Sequence, residues 1–304
     1  MSFWYRAIGV QAVLLWPFSF LYSLLIRAWH LAFDLGLRKP VKLDGARVIS
    51  VGNLVAGGSG KTPVVIHLAN EATRRGFKVA ILTRGYGRKS EQLLAFTDQN
   101  IPGLDDAGDE PRLIARRCPG VTVHVGADRI ATGRAAIAAG ATLLILDDGF
   151  QHRRLARDVD LLVDSGEGNG LVIPAGPLRE PSSGRKRATH VWKRDQDFKH
   201  QVTHYRDASG AKQSLTGKEV SLLLGVARPD LVKDSVEAAG ARVAAVHAYA
   251  DHHHFTPEEV QRAAGSLTTE KDAERLPEGH GLGVLLLDLE VTAPFPLPRG
   301  EGLW

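Results

Sequence analysis

The chain has 304 residues, 44% hydrophobic and 24% charged, with a net charge of +4. That balance excludes a disordered or fibrous chain and leaves room for about two domains with a substantial core. A single cysteine, Cys118, excludes an internal disulfide framework and fits a reducing compartment. The mild positive charge suits an anionic ligand or membrane face, and no aromatic-interleaved basic stripe suggests nucleic acid.

No charged residue lies between Arg6 and Arg27. About 20 apolar residues are enough to span a bilayer. Pro17 and the polar Gln11, Ser19 and Ser23 argue against spanning. Trp4, Tyr5, Trp16, Tyr22 and Trp29 favour headgroup depth, and Arg6, Arg27, Arg38, Lys39 and Lys42 could meet anionic lipid. A helix or bent helix pair lying in the interface is therefore expected. A spanning helix and a soluble core helix are the alternatives. No small-residue cleavage site follows, which disfavours a signal peptide.

A first strand is predicted over Arg47–Val51 and a helix over Thr62–Arg75. Between them lies Gly57-Gly58-Ser59-Gly60-Lys61-Thr62-Pro63. Strand, Gly-rich loop and helix together make a phosphate-binding loop: inward N–H groups and the helix dipole meet the anion. Lys61 would reach the terminal phosphates, and Thr62 would hold Mg²⁺. Pro63 fits the first helical turn. Val55 stands where the usual pattern has glycine, so the loop follows a G-G-x-G-K-T variant. A Gly-rich turn with no ligand is the bland alternative.

Strands at Lys78–Thr83, Val121–Val125, Thr142–Leu146 and Asp158–Val163 alternate with helices at Glu110–Arg117 and Asp128–Ala139. This alternation predicts an α/β fold: a P-loop, doubly wound, mainly parallel sheet with ligands at the strands' carboxyl ends. Asp109-Glu110 reads either as a helix cap with an acidic first turn or as a proton acceptor. Asp147-Asp148 ends a buried strand, where a P-loop enzyme places its metal-binding carboxylate; a turn cap is the rival reading. Arg179-Glu180 sits in a Pro-framed loop, suited to steadying a transferred phosphoryl group or simply exposed at the surface.

Gly166–Arg187 reads as an active-site loop leading into a domain boundary. Strands or a hairpin follow over Thr189–Val202. Strands at Val220–Leu224, Arg242–Val246 and Gly283–Leu287, with helices at Pro229–Ala239 and Thr256–Ala264, make a second, smaller α/β domain. The expected division is 1–40 for the membrane-associated helix, 41–187 for the P-loop core and 188–304 for the second domain. Asp251-His252-His253-His254 lacks zinc-type spacing. It reads as a loop bringing one acid–base group across an interdomain cleft.

These segments resemble the tetraacyldisaccharide 4'-kinase family. The resemblance rests on Ser50-Val51-Gly52-Asn53-Leu54 with the Gly-rich loop, Thr83-Arg84-Gly85-Tyr86-Gly87, Gly108-Asp109-Glu110-Pro111 and Ala127-Asp128-Arg129. Asp147-Asp148-Gly149-Phe150-Gln151-His152, Gly176-Pro177-Leu178-Arg179-Glu180-Pro181 and Asp251-His252-His253 complete it. It covers most of the chain in the right order. It implies an ATP- and Mg²⁺-dependent kinase for the 4'-hydroxyl of a tetraacyl disaccharide 1-phosphate, in lipid A biosynthesis. It further implies a monotopic or peripheral protein at the cytoplasmic face of the inner membrane. Under it, Asp109 matches the catalytic base with His252 as partner. Glu110, Asp147, Arg179 and Glu180 match positions around Mg²⁺ and the terminal phosphates. Tyr86 and Arg129 match positions near the nucleotide or lipid headgroup. The Pro-rich tail from Glu290 departs from the pattern. No obligate protein partner is evident. A membrane-associated P-loop switch ATPase and a soluble small-molecule kinase are the competing readings.

Overall fold

The computed structural model describes residues 2–5, 8–58, 60–166 and 168–296. Ser59, Arg6 and the end of the Pro-rich tail lie outside the described residues. A short 3₁₀ helix, Ser2–Tyr5, precedes α1, Val10–Asp34. Then come β1 (Arg47–Gly52), α2 (Lys61–Arg74), β2 (Val79–Thr83), β3 (Leu94–Phe96), α3 (Leu104–Ala107), α4 (Asp109–Arg117) and β4 (Thr122–Val125). They are followed by α5 (Arg129–Ala138), β5 (Leu143–Asp147), β6 (Val159–Asp164) and β7 (His190–Lys193). The chain continues through β8 (Phe198–Arg206), β9 (Lys212–Ser214), β10 (Glu219–Leu224), α6 (Pro229–Ala238) and β11 (Arg242–Ala248). It closes with α7 (Pro257–Arg262), β12 (Leu267–Thr269), α8 (Glu270–Ala273) and β13 (Gly283–Val291).

The chain divides into two compact units, and both are discontinuous in sequence. Unit one takes the N-terminus through Arg84, Asp128–Phe198, and the segment from Thr292; unit two takes Gly85–Ala127 and Lys199–Val291. The expected boundary near 187 is close to the crossing at Phe198. The segment 85–127, expected within the P-loop core, instead groups with the C-terminal half. Ion pairs fasten it there: Arg112 and Arg116 reach Glu274 at 2.9 and 2.6 Å, and Arg117 reaches Glu270 at 2.6 Å.

In unit one, β2, β5, β1, β6 and β7 lie side by side, all parallel. Strands β2 and β5 are fully buried, which is why they read as continuous apolar runs. Below the sheet, Leu82, Leu144 and Leu146 pack with Ile130 and Ala136 of α5. The register puts Asp147 beside Val51, so the acidic strand end and the start of the Gly-rich loop are neighbours. In unit two, β11, β10, β12 and β13 are parallel in that order, and β8 pairs antiparallel with β9. Strand β10 alternates faces: Leu222 and Leu224 enter one core cluster, Leu223 the other. Strands β7 and β8 do not form a hairpin, since β7 extends the sheet of unit one beside β6.

Helix α1 is single and holds Pro17 in its interior. Ala12, Ser19, His30 and Phe33 are buried along one stripe at helical spacing. Its other side leaves Val13, Leu14, Phe18, Leu21 and Leu25 between 57% and 70% exposed. By length and composition it is the one helix, among the described residues, apolar enough to cross a membrane. That is consistent with membrane association.

Candidate active site

Two constellations carry chemistry, one in each unit. In unit one, the loop after β1 turns through Gly57 (φ 99°) and Gly60 (φ 76°), backbone that residues with a Cβ rarely adopt. Gly60 caps α2 without a side chain, so no protein oxygen satisfies the first N–H groups of that helix from the cap. An uncapped helix start after a glycine turn is a site for an anion.

Lys61 Nζ lies 3.1 Å from Asn53 Oδ1 and 3.5 Å from Asp148 Oδ1. Arg179 Nη1 donates to Asp148 Oδ2 at 2.6 Å. Two cations thus converge on one carboxylate beside the loop, an arrangement equally suited to a phosphate. Burial alone would raise the Asp148 pKa, but Lys61 and Arg179 outweigh it and hold the carboxyl below its ordinary range. Asp148 adopts φ 54°, and its Oδ1 is buried without a hydrogen bond. Its neighbour Asp147 is 4% exposed and accepts from Thr83 Oγ1 at 3.2 Å. The sequence favoured Asp147; the geometry adds Asp148, whose left-handed backbone turns it toward Lys61.

Glu180 is 1% exposed. Its Oε1 accepts from Gln151 Nε2 and Arg187 Nη2, both at 2.9 Å. Its Oε2 meets Arg187 Nη1 at 2.7 Å and His30 Nε2 at 3.0 Å. Burial would raise this carboxyl, but the hydrogen bonds from His30 and Arg187 prevail and bring it to about 2. All four lone-pair directions are used within unit one, which leaves Glu180 differently placed from an open metal ligand. Thr62 sits in the first turn of α2.

In unit two, Asp109 opens α4 and is 4% exposed. Its Oδ1 accepts from the N–H of Glu110 at 2.8 Å. Its Oδ2 lies 2.9 Å from His252 Nδ1 and accepts from Arg275 Nη1 at 3.0 Å. Burial pushes Asp109 up, yet His252, Lys271 and Arg275 together lower its pKa, so it is ionised at neutral pH. His252 has φ 61°, a strained position for a residue with a Cβ. Its Nε2 lies 3.3 Å from Lys271 Nζ. Lys271 also pairs with Glu110 at 3.1 Å and Asp251 at 3.4 Å. Burial works against its charge, but Glu110, Asp251 and Asp109 prevail and raise its pKa. His253 turns away to Glu259 at 2.9 Å.

The sequence put Asp109 and His252 on opposite sides of a domain boundary. The pair is in fact internal to one unit, because 85–127 groups with the C-terminal half. Tyr86 is 69% exposed, and its ring centre is 5.3 Å from that of His252. Arg129 is 5% exposed on α5, in unit one. Sequence reasoning missed Lys271 and Arg275, which sit on or beside a four-residue helix over 160 positions from Asp109. The charged run Glu270-Lys271-Asp272 was the only local hint.

The sequence matches the family described as LpxK, Tetraacyldisaccharide-1-P 4'-kinase, over residues 11–297. Relatives named Tetraacyldisaccharide 4'-kinase include one from Anaeromyxobacter dehalogenans (strain 2CP-C). It is 40% identical, covering 85% of this chain and 81% of its own. Another, from Gluconacetobacter diazotrophicus, is 39% identical, covering 86% of this chain and 84% of its own. Among solved structures, LpxK from Aquifex aeolicus, crystallised in complex with ATP, superposes with a TM-score of 0.77. It is 31% identical, covering 92% of this chain and 95% of that one.

Proposed function

The chain belongs to the tetraacyldisaccharide-1-P 4'-kinase family, and from that premise we propose that it transfers the γ-phosphoryl group of ATP to the 4'-hydroxyl of a tetraacyl disaccharide 1-phosphate, in lipid A biosynthesis. The observation that carries this reading is the convergence of Lys61 and Arg179 beside the uncapped start of α2.

The loop N–H groups and Lys61 bind and orient the terminal phosphates. Arg179 meets the charge that spreads over the transferred group in a loose transition state. Thr62 and Asp147 would hold a magnesium ion, with Asp148 Oδ1, which has no hydrogen bond and only Lys61 at 3.5 Å, beside them; Glu180 is already filled by Gln151, Arg187 and His30, and Glu110 is paired with Lys271 in unit two. A magnesium ion there would neutralise negative charge on the terminal phosphates. The Asp109–His252 pair takes the acceptor hydroxyl's proton. Arg275 and the Glu110 N–H fix the carboxylate, and the carboxylate fixes the imidazole, so both arrive oriented. Tyr86, exposed beside His252, is placed to meet nucleotide or headgroup.

Helix α1 lies in the membrane interface rather than across it. Ser19 Oγ donates to Val172 O at 2.7 Å, Tyr22 Oη to Arg179 O at 3.0 Å, and Trp4 Nε1 to Pro174 O at 2.9 Å. A spanning helix could not keep these bonds, whereas the opposite apolar face is free to enter lipid. ATP is cytosolic, so the protein sits on the cytoplasmic face of the inner membrane, as a peripheral or monotopic enzyme.

Labelled ATP supplied with a tetraacyl disaccharide 1-phosphate in mixed micelles tests the proposal. Phosphate should appear on the lipid, and Lys61→Ala should abolish its appearance. Asp109→Asn should lower kcat by roughly 10²–10⁴-fold with little change in ATP affinity. ATP hydrolysis at full rate with no phosphorylated lipid would instead favour a switch ATPase.

A further inference from the structure

We infer that His30 and Gln151 are positioning residues, holding Lys61 in place through a continuous run of polar contacts from the apolar helix to the phosphate loop. The inference rests on the kinase reading, since it presumes that Lys61 serves the phosphates.

The run begins on the buried stripe of α1. His30 Nε2 stands 3.0 Å from Glu180 Oε2. The ring is steadied from behind by Arg153, whose Nη1 donates to His30 O at 3.0 Å and lies 3.5 Å from His30 Nδ1. Arg153 is itself anchored on α1 by Asp34 at 2.7 Å. With Nδ1 facing a guanidinium, Nε2 is the nitrogen that carries the proton on the side of Glu180. Glu180 Oε1 accepts from Gln151 Nε2, and the same amide nitrogen donates to Asn53 O at 2.9 Å. Asn53 is clamped further by its Nδ2, which donates to Val55 O at 2.6 Å, and its Oδ1 accepts from Lys61 Nζ. Each member of the run is buried or half-buried.

A second strand of the same arrangement grips Arg179. Its carbonyl accepts from Tyr22 of α1, and its N–H donates to Leu54 O at 2.7 Å. The backbone that presents the guanidinium is thus tied both to α1 and to the segment entering the phosphate loop.

The chemistry explains why such a run is kept. A lysine ammonium rides on four flexible methylenes and is oriented only by what it touches. A misplacement of about 1 Å at a reacting group can cost on the order of a hundredfold in rate. Stability alone is a poor account, because a buried ionic cluster is often matched by apolar replacement. What apolar residues could not do is give Asn53 O a fixed donor and, through Asn53 Oδ1, give Lys61 a fixed acceptor.

The test uses the full-length protein in lipid micelles. His30→Ala and Gln151→Leu should each lower kcat about 10–100-fold. The Kd for a non-hydrolysable ATP analogue should move less than about threefold, and sedimentation with vesicles should be unchanged. His30→Gln, whose amide can donate to Glu180, should restore most of kcat. The double variant should lose less than the product of the two, because both act through one run. A second readout needs no turnover. In nucleotide-free protein, acetylation of Lys61 by acetic anhydride, measured by mass spectrometry against exposed Lys186 and Lys212, should rise in both variants. Should His30→Ala fail to fold, Gln151→Leu carries the same comparisons. The inference is overturned if kcat stays within twofold, if kcat falls while Lys61 acetylation is unchanged, or if His30→Gln is no better than His30→Ala. Full activity in Lys61→Ala would strike the kinase reading instead and leave the acetylation result standing.

Discussion

An alanine at Gly52 would set its Cβ 2.5 Å from Phe150 Cβ and 2.7 Å from Phe150 N. The end of β1 and the turn after β5 approach so closely that only hydrogen fits between them. Gly52→Ala should cost about 1–3 kcal/mol or more and lower the melting temperature by several degrees; an unchanged melt would mean the turn can yield. Cys118 is wholly buried in unit two, and burial pushes its thiol up to about 12, against a small opposing effect of Arg117. It should resist an aromatic disulfide reagent at pH 8 until the protein is unfolded. Glu180 titrates near 2 when folded and near 4.5 when unfolded. A depressed carboxyl contributes stability above the unfolded value and loses it as the pH falls from about 4.5 to about 2. The contribution at pH 7 is about 3 kcal/mol. Urea midpoints of wild type and Glu180→Gln should therefore differ most at neutral pH and approach each other below pH 4. Residues such as Lys61 and Asp109 were legible because their types sit in motifs. Gln151 was visible in its motif but its role was not, and His30 lay in no motif, because what matters about both is a partner that only the fold supplies.

At the scale of elements, the long apolar strands and α2 were readable because continuous burial or a glycine loop leaves a local mark. Strands β3, β9 and β12 were not. Three residues are too few to show a period of two, and their pairing rests on distant partners. Helix α1 was recognised as apolar, but its inner stripe was hidden among residues that look equally greasy. Ser19, Tyr22 and His30 have polar atoms that face protein, while Leu21 and Leu25 face outward. Deleting residues 1–27 would therefore do more than free the protein from lipid: it would strip Ser19 from Val172 and Ala175 and Tyr22 from Arg179. Leu21→Glu with Leu25→Glu is the cleaner probe. It should release the protein from anionic vesicles while the far-ultraviolet spectrum and melting temperature stay near wild type. Vesicle binding that survives both charges would place the contact elsewhere.

At the scale of the whole molecule, composition and alternation announced an α/β protein, but no local signal could say that 85–127 belongs with 199–291. That association is made by Arg112, Arg116 and Arg117 meeting Glu270 and Glu274, residues more than 150 positions away. A nucleotide that binds only the folded protein should stabilise it by about 2.7 kcal/mol at a hundred times its Kd. In hydrogen exchange the strongest new protection should fall at 53–62, 147–151 and 179–187; protection confined to other segments would locate the nucleotide elsewhere.

The interleaving of the two units also sets an order of birth. A ribosome delivers α1 first, so the lipid-seeking helix can leave the exit tunnel before any of the catalytic sheet exists. The piece 85–127 emerges next but cannot finish its unit until residue 291 has been made. At ordinary translation speeds that wait lasts about 10–30 s. Throughout it Ile114, Ala115 and Val123, all fully covered in the finished protein, stand open to chaperones. Unit one has its five parallel strands by residue 193, nearly a hundred residues before unit two can close.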